Sequence, residues 1–332
     1  MTTAATSSPP SPAATPSLIS GRGTGRSGDR IFSVLTRGSG ALVVVLVVLT
    51  GAFLLWKSVP SLLDDDVNFI TSRVWQPAAN PPAFGIAALL YTTVLSSVLA
   101  LLMAVPVSVG VALFLTQCAP RRLATPLGYL VDLLAAVPSI IYGLWGAFVL
   151  GPVIAGTDSG PRRAIEDALG WIPLFSSTSV ARGNVFLASV VLAIMILPIV
   201  TAISREVFLQ VPRANIEAAL ALGATRWETI RVSVLPFGKP GVITASMLGL
   251  GRALGETIAV TIILSQPSSL EDFNFSVFYG GETFASKIAN NASEFSTPQK
   301  TGAYIAAGLV LFVVTFLVNA LARVFISRRG DV

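Results

Sequence analysis

The chain contains no histidine and a single cysteine, Cys118. Neither a zinc site nor a Ser-His-Asp hydrolase can be built from such a set, and one cysteine cannot close an internal disulfide. Charge is scarce as well. Only 12% of the 332 residues are Asp, Glu, Lys or Arg, about half the ~25% of an ordinary globular protein. A phosphate-cradling loop of the form G-x-x-x-x-G-K-[ST] is also missing. The only lysines followed by Ser or Thr are Lys57 and Lys300, and neither is preceded by Gly. Any ATP hydrolysis must therefore sit on a partner. The first 28 residues, rich in Thr, Ser, Pro, Ala and Gly, hold no apolar run and so lack the core of a secretory signal.

What the chain has in abundance is apolar sequence, 53% of residues, with a mean hydropathy of +0.76. Stretches long enough to span a bilayer at about 20 residues each lie near 39–58, 86–116, 127–154, 185–204, 241–265 and 302–324. The expected fold is an all-α membrane protein with six transmembrane helices. Its expected organisation is a disordered cytoplasmic tail over 1–38, a first helix and external loop over 39–84, a transmembrane domain over 85–325 and a cytoplasmic C-terminus over 326–332. Pro106, Pro138 and Pro198 fall inside apolar stretches. Each removes a backbone donor and is expected to kink its helix, the alternative being that it is merely tolerated there.

Basic residues set the orientation, because Lys and Arg accumulate on the cytoplasmic side. With the N-terminus inside, 14 of the 22 Lys and Arg fall in inner segments and seven in outer ones, while Arg252 lies within a span. Both termini are thus expected in the cytoplasm of a prokaryotic cell, and the net charge of +5 reflects topology rather than affinity for nucleic acid.

The inner segment 205–240 carries the most local information. Asn215 is expected to cap a short helix from Ile216, and Gly223 to end it in the left-handed conformation. Thr225-Arg226-Trp227-Glu228 has the pattern of a capping box that starts a second short helix, with Pro236 at its far end. Helix, glycine elbow, helix is a shape that lies in a groove of a partner, and also the shape of a plain interfacial hairpin. Glu217-Ala218-Ala219, the Gly six residues after Glu217 and the closing Leu235-Pro236 favour the first.

Arg252 and Glu256 are the costliest residues within a span, since Arg at the centre of a membrane helix costs about 2.5–3.5 kcal/mol on insertion scales. Four residues apart, they would share one helix face. A guanidinium offers two parallel hydrogen bonds to an oxyanion, so one reading places Arg252 on a translocating anion with Glu256 restraining it. The other makes them an ion pair that only locks helices. Gly249, Gly251 and Gly255 would keep that surface thin. Asp132 is a further intramembrane acid, read either as a partner of Arg252 or of a basic residue on a second subunit, or as a water-contacting residue near the inner end. Ser139, Tyr142 and Trp145 follow Pro138 and either line a path or pack as core and interface side chains.

Several runs resemble one family: Ala218-Ala219 to Pro236, Gly249-Leu-Gly-Arg-Ala-Leu-Gly-Glu-Thr257, Val137-Pro-Ser-Ile-Ile-Tyr-Gly-Leu-Trp145 and Val105-Pro-Val-Ser-Val-Gly110. Over about 69–325 the chain is similar to the transmembrane subunits of type I ABC importers, and among these to the PstC-type permeases of phosphate-specific systems. Many members have Ile where this chain has Ser233, which would weaken docking of the second short helix.

The resemblance implies a type I permease fold with a cytoplasmic coupling helix pair, in which Glu217, Ala218, Ala219, Gly223, Thr225, Glu228, Leu235 and Pro236 dock onto an ATPase. It implies a substrate path at Arg252 and Glu256, no cofactor or metal on this chain, and ATP hydrolysed by a partner. The implied partners are a homologous PstA-type permease, a dimeric ABC ATPase, an extracytoplasmic phosphate-binding protein and membrane lipid. Permeases for sulfate or molybdate would look alike at this level. A self-contained secondary transporter would show internal repeats instead.

Overall fold

The computed structural model describes residues 25–155, 161–176, 183–265 and 274–327. Contacts divide the chain into a unit of Met1–Thr50 and a unit of Gly51–Val332. Helix α1, Gly25–Leu63, supplies the described part of the first and enters the second. It begins at Gly25, so the tail expected as far as residue 38 is helical from there on, and the rest of that expectation lies outside the described residues.

In the second unit a small antiparallel hairpin, β1 (Trp75–Gln76) with β2 (Ala83–Phe84), precedes α2 (Ala87–Leu113). Then follow α3 (Arg121–Ala135), α4 (Ser139–Trp145), α5 (Gly151–Ala155), α6 (Pro161–Leu169) and α7 (Val185–Leu209). The chain continues through α8 (Arg213–Ala221), α9 (Arg226–Thr229), α10 (Leu235–Leu254), α11 (Ile258–Ile263), α12 (Phe284–Asn290) and α13 (Pro298–Ser327).

Helix α7 is the centre of this unit, with Val191, Ile196 and Val200 fully buried. It packs most extensively against α2, and the sequence of α2 explains why. Ser96, Ala100, Ala104, Ser108 and Ala112 recur every fourth residue, and all are buried. A stripe of small side chains lets two membrane helices approach closely where apolar attraction between them is weak. Ser108 Oγ adds a cross-helix hydrogen bond of 3.1 Å to the Leu197 carbonyl. The core around α7 is completed by Tyr142, Val260 and Ile263 from α4 and α11. At Gly143 an added Cβ would sit 2.8 Å from the Ala259 backbone, so only glycine permits the α4–α11 contact.

Among the described residues four helical segments are long and apolar enough to cross a membrane: Gly28–Leu63, Ala87–Cys118, Val185–Leu209 and Pro298–Val324. A fifth is reached if Arg122–Ala135 and Ser139–Ile154, bent by 88° to one another, count as one broken span. The expected count of six is not reached by this measure. The stretch expected to span 241–265 is interrupted, because α10 ends at Leu254 and α11 starts at Ile258.

The three prolines do not all behave alike. Pro138 sits at the sharp bend, whereas α2 and α7 run through Pro106 and Pro198 as unbroken helices. Tyr142 closes the bend, its hydroxyl donating to the Leu134 carbonyl at 2.9 Å.

Candidate functional site

The elbow between α8 and α9 forms as the capping chemistry dictates. Gly223 adopts φ +83°, a backbone region that costs an L-residue about 1–2 kcal/mol. Thr225 Oγ1 accepts from the Glu228 N–H at 3.3 Å while the Glu228 carboxylate accepts from the Thr225 N–H at 2.8 Å. That backbone donor, followed by the Thr225 hydroxyl, holds the Glu228 carboxyl below its ordinary range.

Two details depart from expectation. Helix α8 starts at Arg213 behind Pro212, whose fixed φ of −59° already sets the chain for a helix, so Asn215 is not its cap. Nor does Pro236 end the second helix. A π-turn over Ile230–Val234 carries α9 into α10, and the Leu235 N–H bonds to the Ile230 carbonyl. The widened turn re-registers the ladder just before the residue that lacks a donor. Ser233 donates to the Asn215 carbonyl at 3.2 Å and clips the two limbs together.

Glu217, Ala218, Gly223, Thr225, Glu228 and Pro236 are exposed, while Ala219 and Leu235 are half-buried. Leu235 and Pro236 line an apolar groove of about 360 Å³. Sequence reasoning missed the side chains that stand out most here. Leu222 is 90% exposed and Trp227 63% exposed, on either side of Gly223. The signal was their position flanking the elbow glycine.

Arg252 and Glu256 do not share a continuous helix face. Gly255 is the C-cap of α10, and Glu256 lies in the break before α11. Its side chain turns onto the next helix, where Oε1 accepts from the Ala259 N–H at 3.2 Å, and the residue is buried. Arg252 is exposed. Among the described residues no ion pair within 4 Å joins the two. Gly249 packs against Val200 and Ile196 of α7, while Gly251 faces open space, so the open surface beside Arg252 belongs to Gly251 alone.

Asp132 meets neither Arg252 nor bulk water alone. Its carboxylate lies 3.5 Å from Arg205 of α7, with 46% of the Asp132 side chain exposed. Gly128, one turn before Asp132, leaves the space that the Arg205 guanidinium fills. The sequence signal was a glycine and an aspartate four apart on one helix, which places a gap and a charge on the same face. Of the residues after Pro138, Tyr142 is buried in the core and Trp145 is 40% exposed.

At the opposite end of α2 from the elbow, α12 caps the bundle. The Phe284 N–H donates to Thr93 Oγ1 at 3.1 Å, and Lys287 pairs with the buried Glu282 at 2.8 Å.

Comparison with known proteins places this architecture. The family described as binding-protein-dependent transport system inner membrane component matches residues 93–331. The fold is similar to a crystal structure of a bacterial ABC transporter that imports alginate, with a TM-score of 0.52 and 20% identity, covering 74% of this chain and 79% of that one. In sequence the chain is 54% identical over 302 residues to the phosphate transport system permease protein PstC 2 of Mycobacterium tuberculosis (strain ATCC 25618 / H37Rv), covering 90% of this chain and 91% of that protein. It is 51% identical over 324 residues to the phosphate transport system permease protein PstC of Mycobacterium leprae (strain TN), covering 96% and 98%. The chain belongs to the inner-membrane permease components of ABC importers and, within them, to the PstC permeases.

Proposed function

We propose that the chain is the permease subunit of an ATP-driven importer of inorganic phosphate, forming half of the translocation path and performing no covalent chemistry itself. The observation that carries the reading is Arg252, an exposed guanidinium at the last turn of α10, beside the open surface of Gly251 and next to a helix break. A cation among apolar helices is expensive unless it faces a polar path or a partner, and in this reading a second permease completes the path beside Arg252. The relatives' printed function, phosphate transport, supports the choice of anion.

In this reading Arg252 holds the phosphate through paired hydrogen bonds. Glu256, across the break, caps α11 and supplies a negative charge that keeps the anion from settling too tightly. Both termini face the cytoplasm, and the α8–α9 elbow faces the same way. There Glu217, Ala218, Ala219, Gly223, Thr225, Glu228, Leu235 and Pro236, with Leu222 and Trp227 at the tip, dock onto one protomer of a dimeric ABC ATPase. Nucleotide binds to that ATPase, and this chain needs no cofactor. A PstA-type permease completes the path, and a phosphate-binding protein delivers the anion to the α12 face. Residue Asp132 belongs to the moving frame rather than to the anion path.

Uptake of radiolabelled phosphate into proteoliposomes holding the purified complex tests the proposal. Uptake that requires ATP and withstands excess sulfate and molybdate is expected. Inhibition by either competitor would assign a broader oxyanion permease, and uptake by this chain alone without ATP would overturn the importer reading.

A further inference from the structure

An apolar groove of about 830 Å³ runs along the outside of the bundle between α2 and α13, and none of its lining residues belongs to the elbow or to α10. Its walls are Val94 and Val98 of α2 and Leu317 and Val318 of α13. Three of these are exposed, Val94 at 38%, Val98 at 41% and Leu317 at 52%. Its mouth, at the N-terminal end of α2, is lined by Thr71 and Arg73. The mouth is a built structure. Tyr91 donates from its hydroxyl to the Phe275 carbonyl at 2.6 Å and stacks edge-on against the Phe275 ring at 5.4 Å, while the Arg73 guanidinium carbon lies 5.5 Å from that same ring.

One length and the position of one charge identify the occupant. From Ala87 to Val98 the groove follows α2 for about 16 Å at 1.5 Å per residue, which matches one leaflet, half of the ~30 Å hydrocarbon core. The cation stands at one end of that length only, where an apolar chain that fills the groove would carry its head group. A groove that is apolar over one leaflet and cationic at the interface fits a single amphiphile with a negative head.

We infer that this groove is a binding site for one anionic phospholipid, whose phosphate meets Arg73 and Thr71 and whose acyl chain lies between α2 and α13. The site does not depend on what the importer carries. Its consequence is mechanical: a lipid wedged between α2 and α13 holds the outer helix to the central pair, so the anionic lipid content of the membrane sets how firmly the bundle is assembled.

The test is native mass spectrometry of the purified complex, equilibrated in detergent with equal amounts of phosphatidylglycerol and phosphatidylcholine of matched acyl chains. The wild type is expected to retain phosphatidylglycerol about fivefold over phosphatidylcholine, the factor that one cation near an anionic head group supplies. Arg73→Gln should bring that ratio to about one while total bound lipid persists, and Arg73→Lys should keep the preference. Val94→Trp, which fills the groove from an exposed position, should lower retention of both lipids. Equal retention of the two lipids by the wild type would reduce the site to ordinary annular contact and overturn the inference. An unchanged ratio in Arg73→Gln or unchanged binding in Val94→Trp would do the same, and release of the preference by excess inorganic phosphate would show a free-anion site instead.

Discussion

Arg205 of α7 and Asp132 of α3 form an ion pair of 3.5 Å over the gap left by Gly128. This pair ties one half of the broken span to the most buried helix of the bundle, at the point where the chain then bends by 88°. A movement of α3 against α7 must carry the pair along or break it.

Because both side chains are partly exposed, the pair itself contributes modestly, about 0.2–1 kcal/mol. A double-mutant cycle of thermal stability with Asp132→Asn and Arg205→Gln should return a coupling in that range. Gly128→Val should mimic the loss of the pair, since its side chain takes the guanidinium's place. Zero coupling between the two polar substitutions would show that the contact is incidental.

At the elbow, Gly223→Ala is expected to cost about 1–2 kcal/mol locally, because φ is +83°. Nothing lies within 4 Å of an added Cβ, so the effect is conformational rather than steric. Co-purification of the ATPase should fall while the membrane helices stay folded by circular dichroism. Gly223→Asn should fall less, since Asn tolerates the left-handed region.

Thr225→Val removes both hydrogen bonds made by the Thr225 hydroxyl and should speed amide exchange over 226–229. The lowered Glu228 carboxyl gives this start a pH dependence whose sign is fixed. Its stabilising contribution is complete above the ordinary glutamate value of 4.5 and is lost as pH falls below it. Exchange at Glu228 in the wild type should approach that of Thr225→Val as the solution is acidified, after correction for intrinsic exchange rates, and not as it is made alkaline.

Glu256 separates two roles by substitution. Glu256→Ala removes the acceptor for the Ala259 N–H and should destabilise the start of α11 by about 0.5–2 kcal/mol. Glu256→Gln keeps an acceptor and removes only the charge. It should fold normally but take up phosphate with a lower half-saturation concentration and a lower maximal rate, as expected of a site that releases slowly. Unchanged kinetics in Glu256→Gln would confine this residue to capping.

Much of this organisation was legible in the chain because its signals are local. Gly223 and the Thr225–Glu228 box are read within four residues, and the stretches 86–116, 185–204 and 302–324 became long helices because nothing in them competes with helix formation strongly enough to stop it. The breaks were hidden for the opposite reason. Hydropathy averages over a window, so the run through 241–265 reads as one span although Gly255 to Thr257 interrupts it. The pairing of Asp132 with Arg205 depends on which helix lies beside which, and charge spacing along one helix carries no record of that.

The central claim is that Arg252 contacts the transported anion, and uptake of phosphate by proteoliposomes carrying the wild-type complex or Arg252→Gln tests it most directly, with ATPase activity and subunit stoichiometry recorded in the same samples. The account predicts that Arg252→Gln assembles with full stoichiometry, still hydrolyses ATP, and loses phosphate uptake by at least about tenfold, the equivalent of 1.4 kcal/mol at the limiting step. Wild-type uptake in an assembled Arg252→Gln complex would contradict it and leave Arg252 a residue of helix packing alone.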